Sequence, residues 1–187
     1  IYRGEVFTQV GLRVPGEHNV KNALAAAAAA IALAVSPKAV SEGLNAFRGA
    51  GRRFEHKGTY NGAEVYDDYA HHPGELQALL AAARTLGYER IICAFQPHTY
   101  SRTKALFNAQ MGAEAIQTLL AEIYAARETN NLGISSQDLA DQIPGSIYCP
   151  TLEDVTAKLK ELAQPGDLIL TVGAGNIYTA GEALLQK

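Results

Sequence analysis

The sequence predicts an α/β protein in which a mostly parallel sheet is flanked by helices and preceded by a helical segment. Two observations carry this prediction. From about Arg53 onward, short apolar runs alternate with helical patterns, which is typical of a parallel sheet covered on both faces. Before that point, the alanine-rich run at residues 23–35 predicts a buried helix, because it is shorter than the roughly 20 residues that span a bilayer.

The first 51 residues are predicted to form a region of their own, ahead of a domain formed by residues 52–187. Residues 1–14 alternate between polar and apolar side chains, which predicts a strand or a hairpin. A helix is predicted over residues 19–35. Ser36 and Pro37 then provide the N-cap and the first position of a second helix, which ends near residue 47.

The second region is predicted to be a Rossmann-like domain. Its expected strands are residues 55–60, 63–69, 90–95, 119–124, 146–149 and 167–172, and Asn61-Gly62 is a strong hairpin-turn signal between the first two. Its expected helices are residues 74–86, 103–117, 136–142, 152–162 and 177–185. Residues 109–117 are poorly patterned.

Charge and composition exclude several classes of partner. The 16 basic and 19 acidic residues are interspersed, so the sequence predicts neither nucleic acid nor a membrane surface as a partner. No signal-peptide pattern is present, and we expect a cytoplasmic protein. Cys93 and Cys149 lie in apolar runs and are predicted to be inert core thiols, and no Cys/His cluster predicts a metal site in this chain.

Three polar clusters follow predicted strands, where ligands of parallel sheets bind. Residues 67–73 contain two aspartates, a tyrosine and two histidines, which fit a metal site, a general-base site or a solvated loop. Residues 96–103 include His98, Tyr100 and Arg102, and a guanidinium beside an imidazole suits capture of a carboxylate. We therefore favour an amino-acid pocket. The glycines of residues 173–176 fit a plain turn better than a nicotinamide site.

Two further motifs keep alternatives open. His18 and Asn22 lie one turn apart at a predicted helix start, where Asn19 could be an ordinary cap. Arg52 and Arg53 are either a solvated pair or a site from which an arginine reaches a phosphate across an interdomain cleft.

Taken together, these motifs resemble the Mur ligase family, and the resemblance extends from about Pro15 to the C-terminus. The residues that carry it are His18-Asn-x-x-Asn22, Arg52-Arg-Phe-Glu55, Asp67-Asp-Tyr-Ala-His-His-Pro73, Phe95-Gln-Pro-His-x-Tyr-x-Arg-Thr103 and Gly173-Ala-Gly-Asn-Ile-Tyr178. The resemblance implies the end of a central ATP-binding domain in residues 1–51 and a whole C-terminal, amino-acid-binding domain in residues 52–187.

The resemblance also implies roles for individual residues. His18, Asn19 and Asn22 would surround the adenine of ATP, and Asp68 would contact its ribose. Arg53 would reach the phosphates, and Tyr69, His98 and Arg102 would line an L-alanine site with His71 nearby. Arg53 and His71 are accordingly our candidate catalytic residues.

The implied reaction joins L-alanine to UDP-N-acetylmuramate. In this family, ATP with Mg²⁺ phosphorylates a carboxylate, and the amine of the amino acid then attacks the acyl phosphate. No GxxxxGK[ST] motif occurs in the sequence, so we expect this chain to need the rest of a ligase chain and to be inactive alone. The alternatives are a ligase that attaches a recycled tripeptide to the same nucleotide sugar, a noncatalytic ligand-binding module, and a nicotinamide-binding protein.

Overall fold

The computed structural model describes residues 1–106 and 117–186. The chain divides into two compact units, Ile1–Ala50 and Gly51–Lys187. Among the described residues, no helix is long and apolar enough to cross a membrane.

The first unit is a pair of helices, α1 (Glu17–Ala32) and α2 (Pro37–Ala46). Ser36 caps α2 by accepting a hydrogen bond from the Ala39 amide, and Pro37 occupies the first turn, as the sequence predicted. The prediction of a buried helix is wrong for α1, which has no buried residue. An alanine-rich surface becomes buried only where a neighbour approaches closely, because its side chains are short.

The predicted strand at residues 1–14 does not form. Within this segment the structure contains one antiparallel bridge, between Tyr2 and Glu5. The segment is instead tied to α2, where the Gly11 amide donates to the Asn45 side chain and the Ser41 hydroxyl donates to the Gln9 carbonyl. Alternation produces a strand only when a second strand satisfies its backbone groups, and these two bonds do not make a ladder.

The second unit is built on a six-stranded sheet in the order β1-β2-β6-β3-β4-β5. The strands are β1 (Glu55–Tyr60), β2 (Ala63–Asp68), β3 (Arg90–Phe95), β4 (Gln117–Ala121), β5 (Ile147–Cys149) and β6 (Asp167–Val172). β1 and β2 form the predicted antiparallel hairpin, and all other pairs are parallel. The fold class predicted from the sequence is therefore confirmed.

The helices of this unit are α3 (Pro73–Arg84), α4 (Tyr100–Leu106), α5 (Ser136–Ala140), α6 (Leu152–Leu162) and α7 (Tyr178–Leu185). The helix predicted over residues 103–117 begins earlier, and its stretch at residues 107–116 lies outside the described residues. Its last residue is wrongly assigned, because Gln117 begins β4 and pairs with Ile92. The predicted strand 119–124 ends at Ala121, where the chain turns towards the loop after β3.

Two apolar clusters fill the two faces of the sheet. One face packs mainly against α3 and α5, through Leu79, Leu80, Phe95, Leu139 and Leu170. The other packs mainly against α6 and α7, through Val65, Ile92, Leu159, Ile169 and Leu184. All residues of β6 are buried, as expected for a central parallel strand. Cys93 and Cys149 are buried free thiols, and burial raises the pKa of Cys93 to about 12.

Candidate functional site

The three predicted polar clusters meet at the carboxyl edge of the sheet. β6 lies between β2 and β3, so the loops that follow these strands are neighbours. Asp68 pairs with Val172 across the first boundary, and Phe95 pairs with Val172 across the second. The clusters at residues 67–73 and 96–103, which follow one another in sequence, lie at the ends of β2 and β3, and the turn at residues 173–176 stands between them.

The first loop carries a buried carboxylate, Asp68. One of its oxygens accepts the amide of Phe54 and the other accepts the amide of Ala70, each at 2.8 Å. Burial raises the pKa of this carboxyl, and these hydrogen bonds and the charge of Arg53 oppose the rise. Asp68 therefore fixes the ends of two loops from within the protein, while its contact with a ribose stays a prediction.

Arg52 and Arg53 adopt opposite orientations. The Arg52 guanidinium turns inward, where Nε donates to Asp67 at 2.7 Å and the two terminal nitrogens donate to the carbonyls of Gly173 (2.7 Å) and Gly175 (3.1 Å). Arg53 is exposed, and its guanidinium carbon lies 5.7 Å from the centre of the Tyr69 ring. Arg53 thus keeps a cation at the surface of the carboxyl edge.

The backbone on both sides of Arg53 is strained. Arg52 and Phe54 have φ angles of 55° and 49°, in the left-handed region that costs a non-glycine residue roughly 1–2 kcal/mol. Hydrogen bonds hold this conformation: the Arg52 amide donates to Glu55 at 2.7 Å and the Phe54 amide donates to Asp68. Backbone strain of this kind clusters at functional sites in proteins, and here it lies on both sides of an exposed cation.

Four aromatic rings form a row along the carboxyl edge. The ring centres of Tyr69 and His71 are 5.7 Å apart, those of His71 and His98 are 6.0 Å apart, and His98 stacks on Tyr124 at 5.7 Å. The structure therefore brings together Tyr69, His71 and His98, which were predicted as site residues. Tyr124 was missed, although its place at the end of a predicted strand was a signal that could have found it.

His98 lies in the centre of this row. Its Nδ1 atom is buried and has no hydrogen-bond partner within the described part of the chain. Burial lowers the pKa of His98, the positive charges of Arg102 and His71 lower it further, and Glu128 opposes them. The imidazole is therefore neutral near pH 7, and its unpartnered nitrogen faces the protein interior. Arg102, on α4, is exposed beside it.

His71 is oriented by its own loop. Its Nδ1 atom lies 3.0 Å from the Tyr69 carbonyl and 3.7 Å from a Glu75 carboxylate oxygen. That oxygen also accepts the amides of His71 and His72 at the start of α3. The hydrogen bond to a carbonyl favours the tautomer with the proton on Nδ1, which leaves Nε2 as an acceptor.

The glycine-rich turn after β6 packs against Gln96, which is buried. Gln96 accepts the Ile177 amide at 3.1 Å and donates to the Asn176 side chain at 3.1 Å. A Cβ atom on Gly173 would lie 2.7 Å from the Gln96 carbonyl, and one on Gly175 would lie 2.4 Å from the Gln96 side-chain oxygen. Glycine is required here by close packing, in agreement with the turn favoured from the sequence.

Comparison with known proteins identifies the family. Residues 52–175 match the family described as Mur ligase, glutamate ligase domain, and this match covers more than half of the chain. This chain belongs to the Mur ligase family. It corresponds to the C-terminal portion of the ligases that it resembles.

Individual members of the Mur ligase family resemble this chain in sequence and in fold. Across its whole length the chain is 48% identical to UDP-N-acetylmuramate–L-alanine ligase of Lachnospira eligens, and it spans 42% of that relative. Its fold resembles UDP-N-acetylmuramate-alanine ligase from Thermotoga maritima, with a TM-score of 0.77 and 29% identity, covering 97% of this chain and 40% of that one. A murein peptide ligase from Psychrobacter arcticus gives a TM-score of 0.64 and 28% identity, covering 94% and 38%.

The candidate adenine residues all belong to the first unit. His18 and Asn22 are exposed on α1. Asn19 is not the N-cap, since Gly16 occupies that position, and the Asn19 side chain instead donates to the Pro15 carbonyl at 2.6 Å. The roles that the Mur ligase resemblance implies for these three residues stay predictions.

The described residues do not by themselves fit Mg²⁺. Within residues 1–106 and 117–186, no group of three His, Cys, Asp or Glu side chains is close enough to hold a metal ion. At the carboxyl edge, the Asp67 carboxylate is bonded to Arg52 and Thr171, and the Asp68 carboxylate is bonded to two backbone amides. Both carboxylates at this edge are therefore already engaged by protein groups.

Proposed function

We propose that this chain supplies the amino-acid-binding part of an ATP-dependent ligase that joins L-alanine to UDP-N-acetylmuramate in peptidoglycan precursor synthesis. The observation that carries the proposal is the row of rings at the carboxyl edge, with Arg102 at its side and Arg53 at its end. The relative from Lachnospira eligens, which bears the name of this activity, matches the chain over its whole length at 48% identity.

In this proposal, Arg102 and His98 bind opposite ends of L-alanine. The exposed guanidinium of Arg102 pairs with the carboxylate of the amino acid. Burial and the neighbouring Arg102 lower the pKa of His98, so the imidazole is neutral near pH 7 and accepts a hydrogen bond from the amino group without repelling it. Tyr69 and His71 complete the wall of the pocket next to them.

Arg53 then acts at the phosphate. The acyl phosphate forms when the lactyl carboxylate attacks the γ-phosphorus of ATP and ADP leaves. The amine of L-alanine attacks the acyl carbon, phosphate leaves, and the nitrogen loses a proton as the amide forms. Arg53, an exposed cation on a strained backbone, stabilises the charge on the phosphoryl oxygens. ATP, with Mg²⁺, supplies the activation of the carboxylate and is bound mainly outside this chain.

We assign the first unit, residues 1–50, to the end of the nucleotide-binding domain of such a ligase. In this assignment His18, Asn19 and Asn22 approach the adenine and Asp68 the ribose. We also propose a cytoplasmic location for the reaction, because ATP and UDP-N-acetylmuramate are both nucleotides.

Two measurements test the proposed function. The first is the coding sequence upstream of Ile1, where we expect a continuous frame that contains GxxxxGK[ST]. The second is ADP release from ATP, UDP-N-acetylmuramate and L-alanine, which we expect from the full-length protein and not from residues 1–187 alone. Turnover by the chain alone would contradict our expectation that it needs the rest of the ligase. An inactive full-length protein would contradict the proposed L-alanine ligase activity.

The ligase that attaches a recycled tripeptide is the second candidate. Its support is the structural likeness to the murein peptide ligase from Psychrobacter arcticus, although the L-alanine ligase from Thermotoga maritima is more similar in fold and that from Lachnospira eligens is more similar in sequence. Competition between L-alanine and the tripeptide in the full-length protein separates the two. Preferential use of the tripeptide would replace our proposal. A reading frame that starts near Ile1 would instead support a noncatalytic binding module.

A further inference from the structure

Arg52 connects two of the three loops that build the carboxyl edge, the one after β2 and the one after β6. Its guanidinium donates to Asp67 at the end of β2 and to the carbonyls of Gly173 and Gly175 after β6. Asp67 is 1% exposed and also accepts the Thr171 hydroxyl at 2.9 Å. All three guanidinium contacts have ordinary hydrogen-bond lengths, and only a forked, planar cation can make them together.

The same side chain is held between two rings. The guanidinium carbon of Arg52 lies 5.0 Å from the centre of the Tyr69 ring and 4.7 Å from that of Tyr178. These distances are within the range of cation–π attraction. The Arg52 backbone takes part as well, because its carbonyl accepts the Tyr69 amide at 2.8 Å. Tyr69 is therefore oriented by Arg52 through both its ring and its backbone.

Arg52 also controls the direction of Arg53. The two residues are adjacent, so the left-handed conformation of Arg52 sets the path of the chain into Arg53, whose side chain is exposed while that of Arg52 is turned inward. The inward contacts of Arg52 hold that conformation in place against its intrinsic cost. Without these contacts the cost of the left-handed conformation would no longer be offset, and the segment would hold Arg53 at the surface less firmly.

The turn at residues 173–176, which Arg52 bonds on one side, contacts the residue that follows β3 on its other side. Gln96 bonds Asn176 and Ile177 at the start of α7, and Gln96 lies two residues before His98. Arg52 and Gln96 therefore hold the turn at residues 173–176 from opposite sides. A displacement of Arg52 would be transmitted to both halves of the ring row, since the packing between Gly175 and Gln96 leaves no free space.

We propose that Arg52 is a positioning residue for ligation: it sets the phosphate-facing Arg53 and the amino-acid-facing Tyr69 in one fixed frame. This inference rests on the proposed function and adds a residue that touches no substrate. It implies that the phosphate end and the amino-acid end of the site are mechanically linked through one guanidinium.

The chain contains a matched control at the opposite edge of the sheet. Arg90 donates to Asp167 at 2.6 and 2.8 Å and to the Leu162 carbonyl at 2.9 Å, and Asp167 is also 1% exposed. Arg52→Lys and Arg90→Lys each remove a guanidinium that donates hydrogen bonds both to a buried aspartate and to at least one backbone carbonyl oxygen. Lysine keeps the charge in both variants but offers a single ammonium group.

Both variants are made in the full-length ligase that contains this chain, with two readouts. Steady-state kinetics give kcat and KM for L-alanine. Hydrogen exchange of backbone amides reports the loops directly. We expect Arg52→Lys to lower kcat/KM for L-alanine roughly 10- to 100-fold, because small misplacements of site groups have effects of that size. We expect faster exchange at residues 54, 69 and 173 in the same variant.

Arg90→Lys should leave kcat/KM within about twofold of the unmodified ligase and accelerate exchange only around residues 162–167. Equal kinetic losses in the two variants, or unchanged exchange at Tyr69 in Arg52→Lys, would overturn the positioning role. An unmodified full-length protein that does not ligate L-alanine would overturn the proposed function and this inference with it. A ligase that is active but insensitive to Arg52→Lys overturns the inference alone.

Discussion

The two ends of β6 use the same chemistry for different purposes. At the amino end, Arg90 and Asp167 form a two-point ion pair that also ties down the Leu162 carbonyl and the Gln164 amide. At the carboxyl end, Arg52 and Asp67 form a one-point pair, and the remaining guanidinium nitrogens go to the carbonyls of a glycine turn. Both aspartates are almost fully buried.

The neighbours of each pair account for the difference. Arg90 begins β3 and Asp167 begins β6, so their ion pair joins the starts of two strands. The remaining partners of this pair are backbone groups that precede β6. The Arg52 pair lies beside two tyrosine rings, a strained backbone and an exposed second arginine. In our proposal the Arg52–Asp67 pair therefore positions a site, whereas the Arg90–Asp167 pair stabilises the fold.

The largest effect is expected from Gly175→Ala, which disrupts the carboxyl end alone. The added methyl group would lie 2.4 Å from the Gln96 side-chain oxygen and 2.7 Å from a Tyr124 ring carbon. We expect a loss of roughly 3 kcal/mol in the free energy of unfolding, at the upper end for overpacking. Urea denaturation measures it.

Gly74→Ala is the control for this substitution. A methyl group at Gly74 meets no atom closer than 3.7 Å and lies in the first turn of α3. Its effect on the free energy of unfolding should be below about 1 kcal/mol. Comparable losses in both variants would show that the carboxyl end is not packed as tightly as the distances indicate.

A smaller effect, with a defined pH dependence, is expected at the amino end. Burial opposes ionisation of Asp167, but the hydrogen bonds from Arg90 and from the Gln164 amide outweigh it and lower the pKa of this carboxyl below 3.8. Its contribution to stability is therefore present above about pH 4 and is lost as the pH falls through the folded-state pKa. Asp167→Asn should cost about 2 kcal/mol at pH 7 and progressively less in acid.

Asp68, at the other end of the sheet, should show the opposite trend. Burial raises the pKa of its carboxyl, so its ionisation contribution favours the folded state at low pH and is lost as the pH rises through the folded-state pKa. Urea denaturation from pH 3 to pH 7 of Asp167→Asn and Asp68→Asn measures both slopes. Slopes of the same sign would contradict the electrostatic contrast between the two ends.

Local signals in the sequence predicted most of the second unit. Asn61-Gly62 marked the β1–β2 hairpin, and the structure gives these residues φ angles of 48° and 79°. Thr151 and Asp154 marked the start of α6, where they form the expected reciprocal cap. These features are set by residues close together in the chain, so a pattern alone is enough to find them.

Features that depend on distant residues escaped prediction. Nothing in the Arg52-Arg53 dipeptide distinguishes the inward arginine from the outward one, because the choice depends on Asp67 and on the Gly173 and Gly175 carbonyls. The position of β6 between β2 and β3 likewise depends on pairing between strands far apart in sequence. Tyr124 enters the site because its backbone bonds to the loop after β3, rather than through any periodicity of its own.

The smallest expected effect is a change in the pKa of His98, within the carboxyl end of the sheet. Burial is the main cause of the lowered pKa of His98, and Arg102 adds to it, while His71 acts in the same direction and Glu128 against it. Arg102→Gln should therefore raise the pKa of His98 only part of the way towards its ordinary value of 6.5. Titration of the imidazole by NMR at low ionic strength measures the change.

Lys160→Gln, which removes an exposed cation from α6, is the charge-matched control and should leave the pKa of His98 unchanged. Because the folded-state pKa of His98 is below its unfolded value, its contribution to stability is complete above pH 6.5 and is lost as the pH falls towards the folded-state pKa. Arg102→Gln should reduce that loss. An unchanged pKa of His98 in Arg102→Gln would mean that the guanidinium lies too far from His98 in solution for both to bind one L-alanine molecule, and would remove the electrostatic support for the proposed pocket.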